Sequence, residues 1–183
     1  SHEIRTPLNI ISGMDELILR ETDDTNILKY AENINVASRT LSSLINDVLD
    51  FSKIESGKLE LYSGEYDIAD LLNDCYNMFS TLAIDKNQHF SIKCNPAVPK
   101  SMLGDDVRLK QILSNLLSNA VKYTPENGEI SLNVDCKNYD ESTIILVLKV
   151  IDNGIGIKED DVPHLFENFQ RFELSRNRTI QGT

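Results

Sequence analysis

His2 is followed by Glu3 and, one helical turn on, by Thr6. A neutral imidazole on a helix surface is a nucleophile that can accept a phosphoryl group, and near neutral pH much of it is neutral. Glu3 could take a proton from the ring or hold its tautomer, and the Thr6 hydroxyl sits beside it at i+4. Pro7 lacks an N–H and tends to kink the helix close to the reactive side chain. A second run, from Asp105 to Thr124, carries Asn115 and Asn119 at i, i+4, so both amides project from one helix face. Amide oxygens so placed suit a hard cation such as Mg²⁺ bridging phosphates. Lys122, three residues past Asn119, can meet a phosphate, and Tyr123 offers a ring to a nucleobase. A third run, Val150 to Ile157, ends an apolar stretch in Asp152 and follows it with Gly154 and Gly156. The carboxylate could accept a hydrogen bond from an exocyclic amine, while the glycines permit a tight turn and close approach to a ligand. Last, Phe166, Phe169 and Phe172 form an aromatic stripe at spacing three, a pattern that usually marks core. The Arg-bearing stretch Glu173 to Gln181 beyond it reads equally as a mobile loop over phosphates or a solvated tail.

The elements that must position these residues fall into two groups. Ile4, Leu8, Ile11, Met14 and Ile18 recur at helical spacing up to about Leu19. A polar break from Glu21 to Asn26 follows, in which Asp24, Thr25 or Asn26 could cap the next helix. In that helix Ile27, Tyr30, Ile34, Ala37, Leu41, Leu44, Val48 and Phe51 make a heptad seam, widened by Leu28, Ala31, Ile45 and Leu49. Such a hairpin cannot bury its apolar face alone. A second copy completing a four-helix bundle is favoured over an intrachain bundle, because the rest of the sequence lacks the long amphipathic helices needed.

Ser56-Gly57 predicts the end of the second helix, and Leu59 to Leu61 reads as a short strand. From Gly64 onward the pattern is mixed. A helix capped by Asp67 runs to about Leu82-Ala83, Phe90 to Cys94 reads as a strand, and Asp105 or Asp106 starts a helix through Val121. Two strands, Glu129 to Cys136 and Thr143 to Asp152, follow. The expected fold class is α+β, a helical hairpin followed by an α/β sandwich.

Composition narrows the partners. With 40% hydrophobic and 26% charged residues the chain is an ordinary globular one, and a net charge of −11 argues against nucleic-acid binding. An anionic ligand would need a locally positive site supplied by dipoles, a cation or a few placed side chains. Cys75, Cys94 and Cys136 contain no C-x-x-C pair and read as thiols in a reducing compartment. No membrane-length apolar run occurs, so a cytoplasmic location without membrane contact is expected of these residues. A parent protein anchored in the bacterial inner membrane stays open. Neither a Walker loop nor a dinucleotide G-x-G-x-x-G run is present.

Taken in order, the four runs resemble the histidine-kinase family of two-component signalling. Ser1 to Asn9 is similar to its phosphoacceptor box, Asp105 to Thr124 to its N box, Asp152 to Gly156 to its first glycine box, and Phe166 to Phe172 to its F box. The D-F-S-K-I-E-S-G-K stretch from Asp50 to Lys58 is similar to the family's linker. The resemblance implies a dimerisation and phosphoacceptor hairpin over residues 1–58 and a Bergerat-type ATP-binding sandwich over 59–183. It implies His2 as phosphoacceptor, Glu3 as its acid/base neighbour, and Thr6 as an aid to the reverse, phosphatase reaction. Asn115 and Asn119 would serve Mg²⁺ and phosphates, Lys122 the phosphates, and Tyr123 and Asp152 the adenine of ATP, beside Gly154 and Gly156. Phe166 falls in the F box, Arg171 would serve the γ-phosphate or the lid, and Gly182 would open a second glycine box. The implied partners are a second copy and a response-regulator receiver domain. Because the sequence stops where that second box would begin, and lacks a helix before His2, a catalytically poor fragment is expected. The competing readings are a gyrase- or chaperone-like ATPase and a non-catalytic docking module. Such ATPases carry a Glu base one turn before the metal Asn, where this sequence has Asn115, which cannot take a proton.

Overall fold

The computed structural model describes residues 2–165, with side chains from Thr6 onward. The chain divides into two compact units that meet at Glu60 and Leu61.

The first unit is an antiparallel hairpin of α1 (His2–Glu21) and α2 (Thr25–Glu55). Of the three candidate caps, Asp24 caps α2, its carboxylate accepting from the N–H groups of Asn26 at 2.8 Å and Ile27 at 3.2 Å. The helix ends at Ser56, and Gly57 takes a left-handed φ of 64° that a residue with a Cβ would adopt at a cost. The contact between the helices is narrow. Only Leu8, Asp15, Ala31 and Ser38 are buried among the described residues of this unit. Leu8 and Asp15 are one heptad apart, as are Ala31 and Ser38. Counting equally outward from Asp23, Asp15 stands level with Ala31 and Leu8 with Ser38. Each level therefore sets a larger side chain against a small one. Leu28, Ile45 and Leu49 are half-buried beside this line. The heptad seam itself lies elsewhere: Ile34, Leu41, Leu44 and Val48 are 42–49% exposed.

In the second unit β1 (Gly64–Asp67) pairs antiparallel with β3 (Ser101–Gly104), two short strands that the sequence pattern does not announce. Leu59 to Leu61, expected as a strand, is not one; pairing begins at Gly64, where a partner strand exists. The main sheet has the order β2 (His89–Cys94), β4 (Glu129–Asn138), β5 (Ile144–Asp152). The β2–β4 pair is parallel, its crossover containing α4 (Asp106–Tyr123), and β4–β5 is an antiparallel hairpin. Alternation along β4 buries Ile130, Leu132 and Val134 on one face. That face meets Ile68, Leu71, Leu72, Cys75 and Phe79 of α3 (Ile68–Ile84) and Leu113, Leu117, Ala120 and Val121 of α4. The core is thus helices on one face of a mixed sheet, as expected of an α+β sandwich. Val107, Ile112 and Leu116, also apolar residues of α4, are 46–68% exposed, because the helix turns only one stripe toward the sheet.

Candidate functional site

Helix α4 carries most of the candidate residues, and its two ends are held in different ways. At its start Asp105 caps the helix, one carboxylate oxygen accepting from the Arg108 N–H at 3.0 Å and the other from the Tyr62 N–H at 3.0 Å. Those two donors, the Arg108 amide foremost, hold the Asp105 carboxyl below the usual carboxylate range. Asn115 and Asn119 follow at i, i+4, both exposed on one face as their spacing requires. Lys122 and Tyr123 are half-buried, with the Lys122 ammonium 5.3 Å from the centre of the Tyr123 ring. No group of three or more His, Cys, Asp or Glu stands together to hold a metal among the described residues. The two amide oxygens nevertheless fit Mg²⁺ as part of an oxygen shell that phosphates and water would complete.

The Asp152 turn is bolted directly onto the end of this helix. A Cβ at Gly154 would lie 2.6 Å from the Tyr123 carbonyl oxygen and 2.7 Å from the Asp152 carboxylate, so only glycine fits. The Ile155 N–H donates to the same Tyr123 carbonyl at 3.3 Å, and the Gly154 N–H donates to Asp152 Oδ1 at 2.9 Å. The close approach that Gly154 permits is therefore to the protein's own backbone, not first of all to a ligand. Gly156 is needed for another reason, its φ of 68° in open space. Asp152 pairs in register with buried Ile130, which places it on the helix-facing side of the sheet. The opposite face bears a shallow groove of about 470 Å³ along His89, Ser91, Lys93, Ser131 and Ile151. It touches Asp152 from behind and includes none of the α4 residues.

The sequence-derived residues thus divide. Asn115, Asn119, Lys122, Tyr123, Asp152, Gly154 and Gly156 are brought together around one helix end and one turn. His2 and Glu3 belong to the first turn of α1, and Thr6 is exposed on the same helix; the side chains of His2 and Glu3 lie outside the described residues. Phe166, Arg171 and Gly182 lie outside them entirely.

Two family models match the chain. Residues 1–57 fit the His Kinase A (phospho-acceptor) domain, and residues 104–183 fit the histidine kinase-, DNA gyrase B-, and HSP90-like ATPase. The chain belongs to the sensor histidine kinases of two-component signalling. Among the curated members of the family, the sensor histidine kinase GacS of Pseudomonas protegens is 39% identical over 183 residues, covering 100% of this chain and 20% of that protein. The chain spans 9% of hybrid signal transduction histidine kinase B of Dictyostelium discoideum and 53% of the aerobic respiration control sensor protein ArcB homolog of Haemophilus influenzae, so it is less than two thirds of such relatives. Full-length ShkA, solved in complex with AMPPNP, superposes with a TM-score of 0.71 at 31% identity, over 87% of this chain and 33% of that one. Histidine kinase ThkA, solved in complex with response regulator TrrA, gives a TM-score of 0.59 at 27% identity, over 98% of this chain and 52% of that one.

Several residues that shape this site escape a motif-based reading. Asn153, which read as part of a turn, accepts from the Glu129 N–H through Oδ1 at 2.8 Å and donates its own N–H to the Glu129 carbonyl at 3.2 Å, anchoring the turn to β4. Gly128 is closed in by Thr124 Cγ2 at 2.3 Å and Asn153 Oδ1 at 2.8 Å from where a Cβ would stand. Thr124 and Gln88 are buried polar residues packed at the same helix end. A polar residue just past a helix terminus was the available signal for Thr124. For Gln88, tens of residues away in sequence, there was none.

Proposed function

We propose that the chain uses ATP to phosphorylate its own His2, or that of a second copy, and passes the phosphoryl group to an aspartate on a response-regulator receiver domain. In this reading residues 1–58 dimerise and carry the acceptor, and residues 59–183 bind the nucleotide. The observation that carries it is the seating of Gly154 on the Tyr123 carbonyl, which joins the Asp152 turn to the helix bearing Asn115, Asn119 and Lys122. One short region then offers a carboxylate for the adenine amine, a ring for the base, a cation for phosphate and two amide oxygens for a metal. Bound Mg²⁺ would supply charge neutralisation at the phosphates. Asn115 takes the position where the related ATPases carry their water-activating carboxylate, and its amide cannot accept a proton. Hydrolysis is then slow, and an imidazole brought in line with the γ-phosphate is the better acceptor. Phosphoryl transfer of this kind depends on positioning and charge more than on covalent help from the protein. Glu3 would take the ring proton as His2 attacks, and Thr6 would help water attack the phospho-aspartate in the reverse reaction. The ATPase-domain match, the AMPPNP complex of ShkA and the ThkA–TrrA complex support the nucleotide and the partner. The exposed heptad seam supports the second copy.

The test is labelling with γ-labelled ATP and Mg²⁺, in this chain and in a version extended at both ends. An acid-labile, alkali-stable label that disappears in His2→Gln is expected; label surviving that change would refute the acceptor. Asp152→Ala should abolish nucleotide binding, and unchanged affinity would refute the adenine assignment.

A further inference from the structure

The last carbonyls of a helix have no partner within it and must find donors elsewhere. At the end of α4 those donors come from two separate segments. Tyr123 O receives the Ile155 N–H of the Asp152 turn. On the other side Gln88 Nε2 donates to Val121 O at 3.1 Å and to Thr124 O at 2.6 Å, and Lys86 Nζ donates to Val121 O at 3.0 Å. Gln88 is 6% exposed, and its Oε1 has no hydrogen-bond partner among the described residues, so the amide orientation is set by the two carbonyls it serves. Its own backbone is pinned, since its N–H donates to Ala83 O at 2.8 Å and that of the next residue, His89, donates to Gly128 O at 2.8 Å. The carbonyls held by Gln88 flank the carbonyl held by the Asp152 turn.

We infer that Gln88 is a positioning residue for nucleotide recognition. It fixes the last turn of α4, and with it the Tyr123 ring and the seat of Gly154, relative to Asp152, without touching the ligand. The inference rests on the nucleotide site proposed above. Losing both donors would free the helix end to shift and loosen the match between Asp152, Tyr123 and the base. The Asn115–Asn119 face, one to two turns earlier, is held by the core residues Leu113 and Leu117 and would not move. The effect should therefore fall on the base, and on Lys122 in the same turn, rather than on the two asparagines.

The experiment compares fluorescent adenine and guanine triphosphates (mant-ATP and mant-GTP) with Mg²⁺ on the chain and on Gln88→Leu, with circular dichroism confirming that the variant is folded. Gln88→Leu is expected to weaken the adenine nucleotide by about tenfold, the size of one lost buried hydrogen bond, since Val121 O keeps the Lys86 donor, and to shrink the adenine-over-guanine preference by the same factor. A folded Gln88→Leu with an unchanged preference, whatever its stability, overturns the inference and leaves the nucleotide site standing. Failure of the unaltered chain to bind either nucleotide would overturn both. If Gln88→Leu does not fold, Gln88→Met decides, because it keeps the length of the side chain and removes the same two hydrogen bonds. The same loss of preference is expected, and an unchanged preference would overturn the inference.

Discussion

The helical hairpin and the α/β unit have similar apolar endowments and use them in opposite ways. In the α/β unit Leu113, Leu117 and Leu132 are 0% exposed, and two helices and a sheet close over them. In the hairpin Ile34, Leu41, Leu44 and Val48 of α2 are exposed, while the line between the helices is filled by Leu8, Ala31, Ser38 and a carboxylate. Two helices can cover only a stripe of each other, whereas a sheet with helices laid on it has an enclosed side. The described core of the α/β unit closes on itself, whereas the hairpin leaves its heptad seam uncovered.

The largest effect should come from attacking the hairpin from outside. Leu41→Glu with Leu44→Glu places charges in the seam where a second copy would desolvate them, at a cost of several kcal/mol. Sedimentation should then find monomers where the unaltered chain gives dimers, with the far-ultraviolet spectrum of the α/β unit retained. Dimers surviving both changes would break the contrast. Next in size is the same test from inside the other unit: Leu117→Ala should lower its stability by about 2–5 kcal/mol in urea melts, with dimerisation untouched.

A subtler difference concerns buried polar groups. Gln88 is buried with two acceptors, while Asp15 is 2% exposed with no hydrogen-bond partner on either oxygen among the described residues. A buried polar group without partners forfeits its hydration for nothing, so Asp15→Leu should stabilise the hairpin by about 1–3 kcal/mol. A thermal melt of the variant that falls rather than rises would mean that the dimer supplies Asp15 with a donor. The smallest effect expected is on pH dependence at Asp105. Its carboxyl is held low in the folded state by the Arg108 and Tyr62 N–H groups. Its contribution to stability is therefore present above the unfolded carboxylate pKa and lost as pH falls through the lower folded value. Acid unfolding of Asp105→Asn should be less steep than that of the unaltered chain, and identical profiles would show that the two donors gain nothing from the charge.

Sequence by itself determined the local features. Helical period gave both hairpin helices; Asp67 was legible as a cap, Asp24 as one of three candidates, Asp105 as one of two helix starts, and Gly57 as a stop. Motif spacing marked Asn115, Asn119, Lys122, Tyr123, Asp152, Gly154 and Gly156, all within two short runs. These are consequences of backbone geometry within a few residues, which a linear pattern records directly. Tertiary structure alone decided which apolar stripe faces inward: it buried Leu113 and Leu117 rather than Ile112 and Leu116, and put Ala31, not Leu41, against α1. It also created β1 and β3, four residues each, too short to show a period and stable only as each other's partner. And it alone showed why Gly154 is glycine and what holds the end of α4. Those answers depend on a carbonyl and an amide brought together from distant parts of the chain, and no spacing along the sequence encodes such a meeting.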